Sequence, residues 1–270
     1  MKQDLKGKYG SWAFIGGAAE GLGSAYARAL ASGGMNLILV DQQKALQEKL
    51  SGQLRSSYGI QVIPMHLDLA ESVAVQKIEE VLKEYACRLF IYNAAFSRVQ
   101  KFMENDPAQL DRYVQVNVRT PLHLVHAFCA LHNKQSELRK GIILMSSLAG
   151  SWGTRLLGPY GGTKAFNHNL AESLYHELKD DGFDVLACIA GPSSTPGYLA
   201  SLPRGKANTV SVMTPDQVVS AALGALGTRA FVIPGFRNKL NYFLMSRILP
   251  RRYSLTLMNH AVGELYREKL

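Results

Sequence analysis

The sequence predicts a single-domain α/β fold, in which a doubly wound parallel sheet of about seven strands carries helices on both faces. Short apolar or β-branched runs alternate with longer helical patterns along the chain, which is the order of βαβ units. A glycine-rich turn follows the first apolar run and leads into a helical segment. No repeat or Pro/Gly/Ser-rich linker divides the 270 residues, 47% of which are hydrophobic, so we expect one domain over 1–270.

The predicted strands are the short apolar and β-branched runs, and the predicted helices are the longer periodic segments between them. The strands are expected near 11–16, 35–40, 60–66, 88–93, 140–146, 183–190 and 230–233. The helices are expected near 21–33, 42–57, 70–85, 107–133, 158–180 and 214–226, with one or two more after residue 236. The helix near 214 has a clear start, because Thr214 can cap it, Pro215 suits its first turn and Gln217 completes a capping box.

The segment 192–212 follows the sixth strand and is rich in Pro, Ser, Gly and Thr. At the carboxyl end of a strand in such a sheet, we expect a lid over a substrate. A plain surface loop would have the same composition, so both interpretations stay open.

Composition favours a soluble protein of a reducing compartment. Cys87, Cys129 and Cys188 lie far apart in apolar segments, which predicts free thiols, no metal site and a cytoplasmic location. Polar residues 1–8 run directly into the first strand and leave no room for a secretion signal. No apolar stretch approaches the roughly 18 to 20 residues of a membrane-spanning helix.

The net charge of +9 is concentrated in the last quarter of the chain, since residues 201–270 hold ten Lys and Arg against three Asp and Glu. We therefore expect a basic helical extension over about 236–270. Its segment 237–252 mixes apolar and basic residues, and two interpretations stay open. It is a helix that docks on the protein with a solvated basic face, as ordinary amphipathic helices do, or it makes weak peripheral contact with a membrane. Nucleic-acid binding is not expected, because the aromatic residues form no stacking pattern.

Ser147, Tyr160 and Lys164 form the most informative pattern in the sequence. Tyr160 and Lys164 are four residues apart on a predicted helix, so they share one face and the ammonium favours the phenolate. Lowering the pKa of a phenol from ~10 to about 7 requires roughly 4 kcal/mol. We expect a buried lysine and the positive charge of an oxidised nicotinamide to supply it together, which makes Tyr160 an acid or base near neutral pH.

Such Tyr-x3-Lys pairs also arise by chance, and the chain contains a second one, Tyr175 with Lys179. The serine distinguishes the two pairs. Ser147 stands thirteen residues before Tyr160, whereas Gly162, which has no hydroxyl, stands at the matching distance before Tyr175. We interpret the second pair as a surface pair.

The glycine-rich turn from Gly16 to Gly23 lies between a predicted strand and a predicted helix, as in a Rossmann-type dinucleotide site. Gly17 permits a tight turn, while Gly21 and Gly23 let the backbone and the helix approach a pyrophosphate at the helix N-terminus. This context predicts that the chain binds a dinucleotide.

Asp41 ends the second predicted strand, where a carboxylate can bind an adenosine ribose. Capping of the following helix is an alternative role. A 2′-phosphate would carry close to two negative charges beside Asp41, and Glu20 lies in the phosphate loop, so NAD is predicted over NADP.

These features resemble the short-chain dehydrogenase/reductase family over nearly the whole chain up to about residue 230. The Gly17/Gly21/Gly23 turn is similar to that family's TGxxxGxG, Asn93-Ala94-Ala95 to its NAG segment, and Ala190-Gly191-Pro192-Ser193-Ser194-Thr195 to its PGxxxT. Gly16, Ala95 and Ala190 depart from these motifs. The segment after Thr214 resembles the branch that holds 3-oxoacyl and 17β-hydroxysteroid reductases.

The resemblance implies a catalytic tetrad of Asn117, Ser147, Tyr160 and Lys164. It implies that Ser147 holds the substrate oxygen, Lys164 the nicotinamide ribose and Asn117 a water relay, and that Asp68 contacts the adenine. The predicted cofactor-binding residues are Gly17, Ala19, Glu20, Gly21, Leu22, Gly23, Asp41, Asp68, Leu69, Asn93, Ala94, Tyr160, Lys164, Gly191 and Thr195. The family further implies a homodimer or homotetramer packed through the helices near 107–133 and 158–180.

Three functional hypotheses follow. The first is an NAD-dependent oxidoreductase that acts on a secondary alcohol or ketone of a small apolar substrate. The second is an NADP-dependent 3-oxoacyl or steroid-type reductase, since members of that branch usually prefer NADP and carry arginine where this chain has Asp41 and Gln42. The third, from another class, is a dinucleotide-binding scaffold or sensor without turnover.

Overall fold

One parallel sheet of seven strands organises the computed structural model, which describes residues 4–132, 137–206 and 211–269. The strand order is β3-β2-β1-β4-β5-β6-β7. The strands are β1 Trp12–Gly16, β2 Asn36–Asp41, β3 Val62–His66, β4 Leu89–Tyr92, β5 Lys140–Ser147, β6 Phe183–Ala190 and β7 Phe231–Val232. All seven predicted strands are therefore confirmed.

The helices connect these strands and continue beyond the last one. In chain order they are α1 Leu5–Tyr9, α2 Gly21–Ser32, α3 Lys44–Tyr58, α4 Val73–Glu84, α5 Pro107–Val114, α6 Thr120–Leu131, α7 Gly158–Glu177, α8 Pro196–Ser201, α9 Pro215–Ala225, α10 Phe236–Phe243 and α11 Arg251–Leu265. Among the described residues, no helix is both long and apolar enough to cross a bilayer.

Successive residues of each central strand enter two different cores. Ile15 and Ile91 belong to one core, which α2, α3 and α9 cover, whereas Phe14 and Phe90 belong to the other, which α4, α6 and α7 cover. Strands that are apolar on both faces are typical of a parallel sheet between two helical layers. The chain leaves β1 toward β2 and β3 and then crosses to β4, so a cleft opens at the carboxyl ends of β1 and β4.

The predicted continuous helix over 107–133 is wrong, because a π-helical turn, Gln115–Arg119, separates α5 from α6. Pro121 has no N–H and cannot donate to the carbonyl of Asn117 four residues earlier. The side-chain amide of Asn167 donates to that carbonyl instead, at 3.1 Å. Residue 133 lies outside the described residues.

Two short helices were not predicted. α1 lies in the polar N-terminal segment, and α8 lies inside the expected lid 192–212. The base of that segment is fixed, because Met213 pairs with Ser193 and its N–H donates to the carbonyl of Pro192 at 3.0 Å. Residues 207–210 lie outside the described residues.

The buried carboxylate of Asp184, on β6, binds side chains of α1. Asp184 accepts hydrogen bonds from the Tyr9 hydroxyl at 2.7 Å and from Arg139 Nε at 2.9 Å, and it pairs with Lys8 at 2.8 Å. Burial alone would raise the pKa of Asp184, but the hydrogen bonds from Arg139, Lys8 and Tyr9 lower it below its ordinary value. The ionised form is therefore the stable one in the folded protein.

Asp184→Asn is expected to lower the free energy of unfolding by about 2–3 kcal/mol, because it leaves two cations facing a neutral amide. Urea unfolding at neutral pH measures the loss. Because the folded pKa of Asp184 is depressed, the loss should shrink as the pH falls through that pKa. Asp180→Asn, at an exposed position, is the matched control, and an equal loss in both variants would contradict the role of Asp184.

Candidate active site

A cavity of about 1030 Å³ opens at the carboxyl ends of the central strands. Its wall includes the glycine-rich turn, the ends of β2, β4, β5 and β6, the start of α7, the expected lid and the C-terminal helices. Small-molecule sites usually occupy about 300–1,000 Å³. The cavity therefore has room for a dinucleotide and part of a substrate.

The glycine-rich turn has the backbone shape that the sequence predicts. Gly17 has a φ of 76°, and its N–H donates to the carbonyl of Val40 at 2.8 Å. The side-chain amide of Asn93 donates to the carbonyl of Gly17 at 2.8 Å, so the end of β4 holds the turn. A Cβ atom on Gly17 would lie 2.6 Å from the backbone of Ala94. The turn thus forms a cradle that only glycine allows, which fits a pyrophosphate group.

Gly23→Ala is expected to raise the dissociation constant of NADH at least about tenfold, because a Cβ there would collide with the carbonyl oxygen of Gly17 and shift the turn. Fluorescence titration measures the constant. Gly52→Ala is the matched control, since a Cβ on Gly52 in α3 meets nothing within 4 Å. It should leave binding unchanged and stabilise the helix by about 1 kcal/mol. Unchanged NADH binding in Gly23→Ala would contradict the assignment of the turn.

Asp41 lies at the end of β2, is buried and contributes to the cavity wall. Its Oδ2 accepts a hydrogen bond from the N–H of Ala19 at 2.9 Å, and its Oδ1 accepts one from the N–H of Gln43 at 2.9 Å. Asp41 therefore joins the glycine-rich turn to the start of the segment that leads into α3. Its carboxyl group lies at the place where an adenosine ribose is expected.

Asp68 is paired with an arginine that the sequence analysis did not identify. Arg112 of α5 donates to Oδ2 of Asp68 at 2.8 Å and to Oε1 of Gln42 at 3.0 Å. Asp68 and Arg112 are 44 residues apart, and no local pattern predicts their contact. Arg112 brings a cation to the part of the cavity wall that contains Asp41 and Gln42.

The predicted catalytic residues Ser147, Tyr160 and Lys164 meet where β5 ends and α7 begins. Ser147 is the last residue of β5, and its Oγ accepts a hydrogen bond from the N–H of Ala149 at 3.2 Å. Tyr160 and Lys164 lie on the first two turns of α7, and Nζ of Lys164 is 5.8 Å from the centre of the Tyr160 ring. All three side chains belong to the cavity wall.

Burial controls the proton affinities of this cluster. It raises the pKa of the Tyr160 phenol above its ordinary value, and the hydrogen bond with Ser147 opposes that rise. Burial also lowers the pKa of Lys164 to about 8, although Nζ donates to the carbonyl of Met145 at 2.8 Å. In the chain alone, Lys164 thus does not bring the phenol into the neutral range. The lowered phenol pKa stays a prediction for the state with a bound oxidised nicotinamide.

Asn117 lies behind the cavity rather than in its wall. It is fully buried in the π-helical turn, its Nδ2 donates to the carbonyl of Phe96 at 2.9 Å, and its Oδ1 accepts from the N–H of Phe96 at 2.7 Å. Nδ2 also lies 3.0 Å from Oγ1 of Thr163 on α7. Asn117 therefore ties the segment after β4 to the helix that carries Tyr160, and its role in a water relay stays a prediction.

The remaining predicted site residues lie close together. All but Ala19, Gly23 and Asn117 belong to the wall of the one cavity. Ala19 and Gly23 stabilise the turn from outside the cavity wall. The N–H of Ala19 donates to Asp41, and Gly23 lies close to the carbonyl of Gly17. Thr195 caps α8, and a Cβ on Gly21 would lie 3.1 Å from its side chain. The lid segment therefore meets the glycine-rich turn.

Apolar side chains from the C-terminal helices form a part of the wall that the sequence analysis missed. Tyr242 packs against Trp152 with ring centres 5.4 Å apart, and Met245, Met258 and Tyr266 also line the cavity. The predicted helices after residue 236 were the only sequence signal for them.

Asn259 of α11 fixes this part of the wall to the loop before α7. It accepts a hydrogen bond from the N–H of Arg155 at 2.7 Å and donates to the carbonyl of Gly153 at 2.9 Å. The loop held in this way follows Trp152 and precedes Tyr160. The C-terminal helices therefore complete the apolar side of the cavity.

Comparisons with known proteins agree with this site. The sequence model of the family described as short chain dehydrogenase matches residues 11–201. A 7beta-hydroxysteroid dehydrogenase of Collinsella aerofaciens is 30% identical over 239 residues, which cover 87% of this chain and 90% of that protein. A very-long-chain 3-oxoacyl-CoA reductase of Neurospora crassa is 30% identical over 229 residues, which cover 82% of this chain and 66% of that protein.

The fold agrees with a structure solved in a study of 7beta-hydroxysteroid dehydrogenase stereoselectivity. The TM-score is 0.85 at 27% identity, and the match covers 95% of this chain and 99% of that chain. Together these similarities confirm the family resemblance that the sequence motifs predicted.

Proposed function

Since the chain belongs to the short chain dehydrogenase family, we propose that it transfers a hydride between NAD(H) and a secondary alcohol or ketone of an apolar substrate. The observation that carries this proposal is the shared cavity. Ser147, Tyr160 and Lys164 lie in the same wall as the glycine-rich turn, within one cavity of about 1030 Å³. A proton-transfer group and a pyrophosphate cradle are thus available to one bound pair of reactants.

When bound, the nicotinamide supplies hydride chemistry, accepting a hydride from an alcohol carbon or donating one to a carbonyl carbon. Tyr160 takes the hydroxyl proton as the alcohol is oxidised, or gives a proton to the oxygen as the ketone is reduced. Ser147 donates a hydrogen bond to the same oxygen and orients it. Lys164 would hold the nicotinamide ribose, and its ammonium would favour the ionised form of Tyr160.

The apolar character of the proposed substrate rests on the C-terminal part of the wall. Trp152, Tyr242, Met245 and Met258 present rings and thioethers to the cavity. Water is a poor competitor for such a surface, so an apolar substrate gains free energy by burial there.

A cofactor-consumption screen tests the reaction. We expect NADH formation or consumption with bulky secondary alcohols and ketones, and the names of the relatives add steroids and 3-oxoacyl thioesters to the panel. Small polar alcohols serve as controls and should be poor substrates. Dinucleotide binding without turnover of any compound would favour the scaffold or sensor hypothesis.

Asp41 supports NAD over NADP, because its buried carboxylate would repel a 2′-phosphate. Arg112 supports the alternative, an NADP-dependent 3-oxoacyl or steroid-type reductase, because its guanidinium reaches Gln42 at 3.0 Å. We favour NAD, since the guanidinium of Arg112 is already paired with the carboxylate of Asp68 at 2.8 Å.

The unmutated protein is expected to bind NADH more tightly than NADPH, and Asp41→Asn should strengthen NADPH binding about tenfold by removing the repelling charge. The amide keeps an oxygen that can accept from the N–H of Ala19. Arg112→Gln is the companion variant, and it should hardly change the ratio of the NADH and NADPH dissociation constants. Tighter NADPH binding in the unmutated protein, lost in Arg112→Gln, would overturn the NAD assignment in favour of NADP.

A further inference from the structure

The C-terminal helices expose a row of large apolar side chains. No residue of α10 is buried, and Phe236, Leu240 and Phe243 are spaced i, i+4 and i+7 along one face of the helix. Leu244 and Ile248 continue the row in the π-helical turn Leu244–Ile248. Phe236 is 79% exposed and Ile248 60% exposed. We call these five side chains, with the exposed Leu249, Tyr253 and Leu257 that follow them, the tail surface.

The charged residues of the segment that carries the tail surface have one sign. Residues 217–263 contain six Lys and Arg and no Asp or Glu. At 100° per residue, Arg237 and Lys239 lie on either side of the apolar row of α10. Arg251 and Arg252 are exposed in the first turn of α11, and the guanidinium of Arg252 stacks over the Tyr253 ring at 4.7 Å. Apolar side chains flanked by cations are typical of helices that lie in a membrane interface.

The other face of α10 already has a partner. Asn241 and Tyr242 line the cavity, as does the buried Met245 of the π-helical turn. The helix therefore docks on the protein through one face, as one interpretation of the sequence expected. Leu240 lies at the edge of that face and also lines the cavity, whereas the other four side chains of the row stay in solvent. A contiguous exposed apolar row is costly in water unless something covers it.

We propose that the tail surface binds a bilayer containing anionic lipids, with α10 lying in the plane of the interface and its apolar row among the acyl chains. The cations then contact lipid phosphates. A second copy of the chain fits less well, because a two-fold contact through this surface would bring the same cations together. The homodimer or homotetramer that the family implies is expected to pack through the helices near 107–133 and 158–180, which are not part of the tail surface.

Vesicle flotation of the full chain tests the proposal. We expect the protein to float with vesicles of phosphatidylcholine and phosphatidylglycerol and to stay behind with phosphatidylcholine alone. High salt should weaken the binding, because it screens the cations. Arg251→Gln/Arg252→Gln should lower the partition coefficient about thirtyfold, which corresponds to roughly 1 kcal/mol per cation. Phe243→Ser/Ile248→Ser should lower it at least about tenfold, because each serine removes apolar area.

Two matched double variants control for general effects. Lys77→Gln/Lys179→Gln removes two exposed cations elsewhere, and Leu46→Ser/Val73→Ser removes two exposed apolar side chains elsewhere. Neither should change flotation, and urea unfolding shows whether each variant is folded. If Phe243→Ser/Ile248→Ser does not fold, the flotation of Arg251→Gln/Arg252→Gln alone tests the proposal.

Equal flotation on both kinds of vesicle would overturn the proposal, as would flotation that the arginine variant leaves unchanged. A concentration-dependent dimer in solution that the tail variants abolish would also overturn it, because a second copy would then cover the surface. None of these results depends on turnover, so the proposed enzymatic reaction is tested separately.

Discussion

Tyr160→Phe is expected to lower kcat by about a thousandfold and to leave the dissociation constant of NADH nearly unchanged. The substitution keeps the ring on the first turn of α7 and removes only the hydroxyl that transfers the proton. Proton transfer by a positioned side chain contributes roughly 10² to 10⁴ in rate. Steady-state kinetics with a substrate from the screen gives kcat, and fluorescence titration gives the NADH constant.

Tyr175→Phe makes the same chemical change on the same helix, in the second Tyr-x3-Lys pair. Tyr175 is not part of the cavity wall, and its ring packs against His176 with centres 5.1 Å apart. We expect its kcat to equal that of the unmutated protein. Equal losses in the two variants would point to damage of α7, and a Tyr160→Phe enzyme with most of its activity would exclude the phenol as acid or base.

Lys164→Met is expected to abolish turnover and, in the same protein, to raise the free energy of unfolding at about pH 7 by about 1–2 kcal/mol. Burial lowers the pKa of Lys164 from 10.5 to about 8, so holding the ammonium in place at neutral pH costs roughly 3 kcal/mol. Methionine has a similar length and no charge. Loss of the bond to the carbonyl of Met145, worth about 1 kcal/mol, offsets part of the gain.

The pH dependence identifies the cause. Between pH 8 and 10.5 the unfolded chain binds a proton on residue 164 that the folded chain has lost, so the unmutated protein gains stability as the pH rises through this range. The gain in the free energy of unfolding from Lys164→Met should be largest below pH 8 and should vanish above pH 10.5. Urea unfolding of both proteins across this range measures the difference, and a constant difference would contradict a buried, charged lysine.

Local patterns were sufficient for the sheet and for the positions of the proposed reacting groups. Apolar runs fixed β1 to β7 within about two residues, because a strand buried on both faces needs a continuous apolar segment. Ser147, Tyr160 and Lys164 were selected because the proposed proton transfer needs those side chains at set spacings on one strand and one helix, and all three line the cavity. The helix break before α6 had a local signal in Pro121, which the periodicity of the flanking segments outweighed.

The contacts of Arg112 had no local signal. Its guanidinium meets Asp68 across 44 residues of sequence, because the fold brings Arg112 of α5 against the loop that follows β3. Asn259 likewise meets the carbonyl of Gly153 across 106 residues. Neither pair can be read from spacing, since the distance between a helix and a distant loop depends on how both pack on the sheet.

The sequence by itself determined that this chain forms a doubly wound sheet, that a glycine-rich turn follows its first strand and that Ser147, Tyr160 and Lys164 stand at a set spacing on one strand and one helix. Each of these depends on a side chain or a glycine and its near neighbours along the chain. Tertiary structure alone decided that burial raises the pKa of Tyr160 and lowers that of Lys164. It also decided that Arg112 contacts Gln42 at the end of the cavity where the adenosine is expected. One face of α10 lines the cavity for the same reason. Burial and long-range contact are properties of the packed molecule, because they arise only when distant segments exclude water together.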